Sequence, residues 1–173
     1  MVTITISGNP GSGKSTVAQL LHEKLRIPYI YSGMLFRQSA EEHNMSLEEF
    51  GKYCEKNPHV DKELDEKQIE ILKKGDVLLE GRLAGWLAYK NKIPAIKIAI
   101  TADIKTRAER IVKREKGDVE KRKKEIIERE RSENARYKKY YDIDLKDFSA
   151  YDLIIDSSDK TPEEILSIII EKI

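Results

Sequence analysis

The residues best suited to chemistry in this chain lie at positions 8–15, which read Gly-Asn-Pro-Gly-Ser-Gly-Lys-Ser. Gly8, Gly11 and Gly13 allow backbone turns that a side chain would block, so that successive N–H groups can point at phosphate oxygens. The start of a following helix adds its dipole and its unpaired N–H groups. Because an apolar run precedes this spacing and a helical pattern follows it, the segment predicts a phosphate-binding loop. The alternative is a glycine-rich turn that happens to precede Lys-Ser.

Two side chains of this loop point to phosphoryl transfer. Lys14 can reach the β- and γ-phosphates of ATP, which makes it a catalytic candidate, and the Ser15 hydroxyl can bind Mg²⁺. Residues 91–94 read Asn-Lys-Ile-Pro and lack the aspartate that reads guanine in regulatory GTPases. A small-molecule or nucleotide kinase is therefore favoured. The ATP-binding residues predicted from the loop are Gly8, Asn9, Pro10, Gly11, Ser12, Gly13, Lys14, Ser15 and Thr16.

A first acceptor segment, Ser32-Gly33-Met34-Leu35-Phe36-Arg37, follows the second predicted strand. In an open α/β sheet, ligands bind at the carboxyl ends of the strands. Ser32 offers a hydroxyl, Gly33 permits close approach, and Arg37 can clamp a phosphate with two parallel hydrogen bonds. We expect this segment to bind the acceptor. The alternative is an ordinary helix cap followed by a solvated arginine.

A second acceptor segment, Glu80-Gly81-Arg82, follows the third predicted strand. An acid at a strand end commonly holds Mg²⁺ through water in phosphate-loop enzymes, and we expect Glu80 to do so here. Arg82 would then be a second clamp on the acceptor phosphate. The alternative is a hairpin with Gly81 as its turn and both charges in solvent.

Several arginines occur late in the chain. Arg107, Arg110 and Arg114 fall at spacings of three and four, and hence on one helix face. Arg129 and Arg136 follow, two turns apart, on an almost entirely charged segment. Phosphoryl transfer depends on positioning and on cations that meet developing charge. A mobile lid carrying arginines would supply those cations and exclude water, although about half of these arginines are expected to be surface charge.

The elements that position these residues alternate between strand and helix along the 173 residues, a length typical of one domain. We expect an α/β, three-layer P-loop fold, with a five-stranded parallel sheet in the order 2-3-1-4-5. The predicted strands cover 3–7, 29–31, 77–80, 96–100 and 153–156. The predicted helices cover 15–25, 61–74, 103–116 and 118–141, with two more that open at capping patterns at Ser46 and Thr161.

Composition narrows the choice of partner and compartment. Lys and Arg number 32 and Asp and Glu 31, for a net charge of +1, which gives no reason to expect a nucleic acid or a membrane. Cys54 is the only cysteine, so an intrachain disulfide and a cysteine metal cluster are excluded. No signal peptide or membrane-length apolar run stands out. We expect a cytoplasmic monomer.

Taken together, three segments resemble the cytidylate kinases, in their short archaeal form. These are residues 7–15, Ser32-Gly33 with Phe36-Arg37, and residues 80–86, which read Glu-Gly-Arg-Leu-Ala-Gly-Trp. Residues 46–65 strengthen the resemblance. Asp156-Ser157-Ser158 is similar to the loop that borders the adenine of ATP in that family. The resemblance covers essentially the whole chain.

The resemblance implies the reaction ATP + (d)CMP ⇌ ADP + (d)CDP, with Mg²⁺ as cofactor and ATP and CMP or dCMP as partners. It also implies a core of residues 1–31, 76–112 and 137–173, an acceptor-binding region at about 32–75 and a lid at about 113–136. The implied CMP-binding residues are Ser32, Gly33, Phe36, Arg37 and Arg82. Ser157 would border adenine, Glu133 would lie near the sugar hydroxyls, and Arg110, Arg129 and Arg136 would approach the transferring phosphates.

Two departures from the bacterial members leave the reading of the base to other residues. Leu83 replaces an aspartate that helps read cytosine there, and a long insert in the acceptor region is missing. Asp61, Asp65 and Gln68 lie on one predicted helix face, and their oxygens could accept from the cytosine amino group. We predict that this face reads the base. A helix capped by Asp61 with exposed polar residues is the alternative.

Two rival functions remain open at this point. The first is a kinase of similar build with another acceptor, such as AMP, UMP or a small metabolite. The second belongs to another class, a nucleotide-binding switch or RNA-associated protein whose charged helix binds a partner. The near-neutral charge disfavours the second.

Overall fold

The computed structural model describes residues 2–173, apart from the side chain of residue 48. Its sheet has five parallel strands in the order β2-β3-β1-β4-β5, which confirms the predicted fold and strand order. Each predicted strand is found, with its ends within one residue of those predicted. The strands are β1 (Ile4–Gly8), β2 (Tyr29–Tyr31), β3 (Leu78–Glu80), β4 (Ile96–Thr101) and β5 (Leu153–Asp156).

Eight helices cover the sheet and extend beyond it within residues 2–173. They are α1 (Lys14–Leu25), α2 (Ser32–Glu42), α3 (Leu47–Lys56), α4 (Pro58–Lys74), α5 (Ala84–Lys90), α6 (Ile104–Glu115), α7 (Val119–Tyr141) and α8 (Pro162–Ile170). Ser46 and Thr161 each form a complete capping box. Asp103 and Asp118 cap α6 and α7 by accepting from backbone N–H groups three residues further on. The start signals at these four positions therefore mark the beginnings of α3, α6, α7 and α8 correctly.

The predicted start of α4 at Asp61 is wrong. The helix begins at Pro58, with Asn57 as its N-cap, so that Asp61 lies in the first turn and is not the cap. Proline is favoured at the first helical position because an N–H group there would have no acceptor within the helix, so that its absence costs nothing. The φ angle of proline is also already helical. Asn57-Pro58 is thus the stronger start signal, and it adds most of a turn to the helix.

Two apolar clusters hold the layers together on opposite faces of the sheet. On one face, α1 and α8 pack on the strands through buried aliphatic side chains such as Leu21 and Ile165. On the other face, α5 contributes Trp86 and Leu87 beside Ile143. A smaller cluster around Phe50 joins α2, α3 and α4. Among residues 2–173, none of the helices is both long and apolar enough to cross a membrane.

The charged helix α7 rests on α6 through a small apolar contact. Ile126 is buried against Ala108 and Ile111 of α6, whereas Ile127 is 49% exposed. Arg107 forms an ion pair with Glu130 across the same pair of helices. Helix α7 therefore contacts α6 through one short stripe near its start, and nearer its end Glu133 is buried and Tyr137 and Tyr141 pack against the cluster that contains Trp86.

The close approach of α5 to β1 depends on Gly85, and this generates a stability prediction. The Gly85 N–H donates to Ser7 Oγ at 3.1 Å, and an added Cβ would overlap the Tyr151 ring, with Cδ1 and Cζ both 3.0 Å away. We expect Gly85→Ala to lower the free energy of unfolding by about 1–3 kcal/mol, the usual range for overpacking.

Urea denaturation of the two proteins measures this difference, and Gly51→Ala is the matched control. A Cβ at Gly51 meets nothing within 4 Å, and alanine is the better helix former, so that this variant should be neutral or slightly more stable. Equal midpoints for Gly85→Ala and the wild type would contradict the prediction.

Candidate active site

The phosphate loop links β1 to α1 in a conformation that requires glycine. Gly11 and Gly13 have φ values of 77° and 88°, a region that side chains disfavour. A Cβ at Gly11 would also lie 2.6 Å from the Arg107 carbonyl oxygen. Gly13 is the residue before α1, so the unpaired N–H groups of that helix open into the loop. The turn is therefore built as an anion site.

Lys14 and Ser15 meet Glu80 at the carboxyl edge of the sheet. Ser15 Oγ donates to Glu80 Oε1 at 2.9 Å, and Lys14 Nζ lies 3.6 Å from the same oxygen. The hydroxyl of Tyr29 donates to the other oxygen, Oε2. Burial lowers the pKa of Lys14, with Glu80 opposing this and Arg82 and Arg129 adding to it. The loop lysine is thus within electrostatic reach of both arginines.

The Ser15–Glu80 pair fits a magnesium ion. Mg²⁺ prefers oxygen ligands, keeps several of its waters, and commonly takes only one or two protein groups beside substrate phosphates. Ser15 gives its proton to Glu80, which leaves the lone pairs of its oxygen for a cation. No cluster of three or more His, Cys, Asp or Glu able to hold a metal occurs within residues 2–173.

Arg110 joins the loop after β5 to the phosphate loop. Its guanidinium donates to Ser157 Oγ at 2.9 Å and to the Ser157 carbonyl oxygen at 2.6 Å. The Ser157 hydroxyl in turn donates to the Ser12 carbonyl oxygen at 2.7 Å. The structure therefore brings both predicted residues, Arg110 and Ser157, against the phosphate loop.

A cavity of about 290 Å³ lies beside this loop, between α2, α4 and α7. Most of the predicted acceptor residues line it, and it also receives two of the predicted catalytic arginines. Its lining includes the predicted residues Ser32, Gly33, Phe36, Asp61, Asp65, Gln68, Arg82, Arg129, Glu133 and Arg136. Leu83, noted above at the position of the missing aspartate, also lines it, as do Leu35, Leu64, Tyr137 and Tyr140, which the sequence pattern missed.

Arg37 is placed differently from its predicted neighbours. Its side chain is exposed and lies outside the lining that the described residues form around this cavity. The guanidinium donates to the Tyr31 hydroxyl and stacks over the Tyr31 ring, 5.4 Å from its centroid. The role of Arg37 in binding an acceptor phosphate stays a prediction.

Arg82 connects the phosphate loop, the cavity and α7. Its Nη1 donates to Asn9 Oδ1 at 2.8 Å, and its Nε donates to Glu133 Oε2 at 2.6 Å. Glu133 is buried, and its second oxygen accepts from Arg129 Nε at 2.8 Å. The hairpin alternative for residues 80–82 is wrong, because the side chains of Glu80 and Arg82 are only 7% and 12% exposed.

The far side of the cavity is a polar surface on α4. Arg136 Nη1 donates to Asp61 Oδ2 at 3.3 Å, and the Tyr141 hydroxyl donates to Asp65 Oδ2 at 2.6 Å. Gln68 Nε2 donates to the other Asp65 oxygen at 3.1 Å. Gln68 Oε1 and Arg136 Nε are buried without a hydrogen-bond partner among the described residues. Buried polar atoms of this kind are usually satisfied by a ligand or water.

The carboxyls on this surface are unusually easy to protonate. Burial raises the pKa of Asp61, although Arg136 opposes the shift. For Asp65 burial dominates, with the Asp61 charge adding to it and the Tyr141 hydrogen bond opposing it, so that the pKa rises to about 6. Both shifts follow from the removal of water from a charged group.

The parallel sheet, the phosphate loop and the adjoining cavity define a P-loop kinase. Two solved structures share the fold. Shikimate kinase from Bacteroides thetaiotaomicron has a TM-score of 0.67 and 14% sequence identity, over 99% of this chain and 97% of that one. Shikimate kinase from Aquifex aeolicus has a TM-score of 0.62 and 18% sequence identity, over 99% of this chain and 95% of that one.

The amino-acid sequence is similar over nearly its full length to named archaeal enzymes. It is 46% identical to the cytidylate kinase of Methanocaldococcus jannaschii over 96% of this chain and 94% of that one. It is 45% identical to the cytidylate kinase of Pyrococcus horikoshii over 97% of this chain and 86% of that one. A family model described as cytidylate kinase-like matches residues 3–159. The chain therefore belongs to the cytidylate kinase-like family and is a nucleoside monophosphate kinase.

The raised pKa of Asp65 generates a prediction about stability and pH. The pKa is about 6 in the fold against 3.8 for an unperturbed aspartate. The folded state disfavours the ionised form of Asp65 relative to the unfolded state. The contribution of Asp65 to the free energy of unfolding is therefore complete below pH 4 and is lost as the pH rises through 6. Relative to Asp65→Asn, the wild type should lose roughly 2 kcal/mol of unfolding free energy between pH 4 and pH 7.

Urea titrations of both proteins across this pH range measure the difference. Asp147→Asn is the matched control, since backbone and side-chain hydrogen bonds from Ser149 lower the pKa of this exposed carboxyl. Relative to Asp147→Asn, the wild type should not lose unfolding free energy between pH 4 and pH 7. A constant difference between the wild type and Asp65→Asn from pH 4 to pH 7 would contradict the prediction.

Proposed function

We propose that this protein transfers the γ-phosphoryl group of ATP to CMP or dCMP, in one direct, in-line step that uses Mg²⁺. The observation that carries the proposal is the position of Arg82. Its guanidinium bonds Asn9 of the phosphate loop at 2.8 Å and also lines the neighbouring cavity. A donor phosphate and an acceptor phosphate can therefore meet on one cation, which is the arrangement that direct transfer needs.

The donor half is the phosphate loop with its neighbours. Lys14 and the loop N–H groups would hold the β- and γ-phosphates, and Ser157 beside Arg110 would border the adenine. Ser15 and Glu80 would hold Mg²⁺, the carboxylate through water. Held there, the ion would supply positive charge that offsets the negative charge developing during transfer. Arg129 is 62% exposed and paired with Glu133, and it is within electrostatic reach of Lys14, so that opening of this pair would let it turn toward the transferring group.

The acceptor half is the cavity between α2, α4 and α7. Ser32, Arg37 and Arg82 would bind the CMP phosphate, and the α4 surface would read the base. Cytosine presents an amino donor where uracil presents a carbonyl acceptor, so that a carboxylate at this point binds the first and repels the second. Asp61 and Asp65 supply carboxylates in the cavity, and the unpaired Gln68 Oε1 is a further acceptor. Leu83 is 2% exposed and offers only an apolar wall.

The lid would be the charged helix region at about 113–136, with residues 32–75 forming the acceptor-binding region. The lid carries Arg129 on an exposed stretch, while Ile126 anchors it to α6. Closure over bound nucleotide would bring Arg129 to the phosphates and exclude water. Arg136, now paired with Asp61, would reach the phosphates only after that pair opens. The monomeric state of the protein stays a prediction.

Phosphorylation assays with equal concentrations of CMP, dCMP, AMP and UMP test the proposal. We expect CMP and dCMP to be the best acceptors, with at least about tenfold lower kcat/KM for UMP, because a carboxylate facing the uracil carbonyl leaves buried polar groups unpaired. ADP formation should require both Mg²⁺ and an acceptor. Lys14→Ala is the control that ties the turnover to this chain.

Three other results would contradict the proposal and point to the alternatives. Preference for AMP, UMP or a small metabolite would indicate another acceptor. ATP binding without acceptor-dependent ADP formation would indicate a nucleotide-binding switch. Salt-sensitive RNA affinity together with the absence of turnover would indicate an RNA-associated protein.

A further inference from the structure

The Glu80 carboxylate is held from both sides. On the side of the phosphate loop, Oε1 accepts from Ser15 Oγ at 2.9 Å and lies 3.6 Å from Lys14 Nζ. On the opposite side, Oε2 accepts from the hydroxyl of Tyr29. The carboxylate therefore has one oxygen directed at the nucleotide loop and one tied back to β2.

The ring of Tyr29 is positioned by packing and does not need its hydroxyl for this. It lies against the large core cluster, with its centroid 6.0 Å from the His22 ring and 5.7 Å from the Tyr31 ring. Tyr31 is the register partner of Glu80, and Tyr29 precedes it by two residues on the same face of β2. The tyrosine hydroxyl thus arrives at Glu80 from a fixed point in the scaffold.

We propose that Tyr29 is a positioning residue for the magnesium site, acting through Glu80. By bonding Oε2, it keeps the carboxylate plane turned so that Oε1 stays beside the Ser15 hydroxyl, where a metal-bound water would donate. The inference rests on the proposed magnesium role of Ser15 and Glu80. Terminal carboxyl torsions have broad wells, so a carboxylate without this partner would rotate more freely.

Loss of such an outer partner commonly weakens metal binding by about 10–100-fold. Removing the Tyr29 hydroxyl should therefore weaken Mg²⁺ binding in the presence of nucleotide by about tenfold, the lower end of that range. It should leave nucleotide binding without metal unchanged, because the Tyr29 hydroxyl bonds Glu80 and its ring lies beside His22 and Tyr31. This separation distinguishes positioning of the metal site from general damage to the fold.

Calorimetry with the β,γ-imido analogue of ATP, in the presence and absence of Mg²⁺, measures the effect without turnover. The ratio of the two dissociation constants is the metal increment. We expect Tyr29→Phe to reduce this increment about tenfold and to leave the metal-free constant as in the wild type. Tyr31→Phe is the matched control, since its hydroxyl contacts Arg37 and should not alter the increment.

A double-mutant cycle shows whether Tyr29 acts through Glu80. Glu80→Gln alone should reduce the increment, and adding Tyr29→Phe should reduce it no further. A wild-type increment in Tyr29→Phe, additive losses in the cycle, or a Tyr29→Phe protein that does not fold would each overturn the inference. A wild type without any increment would overturn the magnesium site itself, while the acceptor assays would still decide the proposed kinase activity.

Discussion

The structure around the site depends on one ion-pair network, in which the buried Glu133 accepts hydrogen bonds from the mostly buried Arg82 and from the largely exposed Arg129. Arg82 also bonds Asn9, so that the network ties α7 to the phosphate loop. Breaking a buried pair by removing one partner typically costs about 3–5 kcal/mol, because the other charge is left uncompensated. Such a network is stable only where the opposite charges stay paired. Here the pairs fix the positions of the donor loop, the acceptor cavity and the lid helix relative to one another.

Much of this arrangement could be predicted from the sequence because its signals are local. The glycines at positions 8–15 specify the loop by backbone geometry, and continuous apolar runs specify buried parallel strands. Parallel strands end at a common edge of the sheet, which is why Glu80 bonds Ser15 of the phosphate loop and Ser32 lies beside Gly81. The capping boxes at Ser46 and Thr161 are equally local. The start of α4 was predicted wrongly, because Pro58 and Asp61 are competing start signals and the proline is the stronger one. Helix α5 was not predicted, since it is short and has no side-chain cap.

The contacts that the sequence did not predict are long-range ones. Nothing in the pattern of β2 shows that the Tyr29 hydroxyl would bond Glu80, 51 residues away. The pairing of Tyr141 with Asp65 spans 76 residues, and that of Arg136 with Asp61 spans 75. These pairs depend on how α7 lies relative to α4, and both helices pack against one apolar cluster, α4 through Leu72 and α7 through Tyr137 and Tyr141. Spacing along one helix cannot give the partner on another.

If the donor and acceptor sites face each other across Arg82, phosphate can pass directly between two bound nucleotides. A bisubstrate analogue in which a polyphosphate chain joins adenosine to cytidine tests this arrangement by calorimetry. We expect one analogue per chain, bound at least about a hundredfold more tightly than ATP or CMP alone, as linked ligands bind when both sites can be engaged. The bound analogue should exclude both nucleotides. Binding no tighter than that of ATP, with CMP still able to bind beside the analogue, would contradict facing donor and acceptor sites.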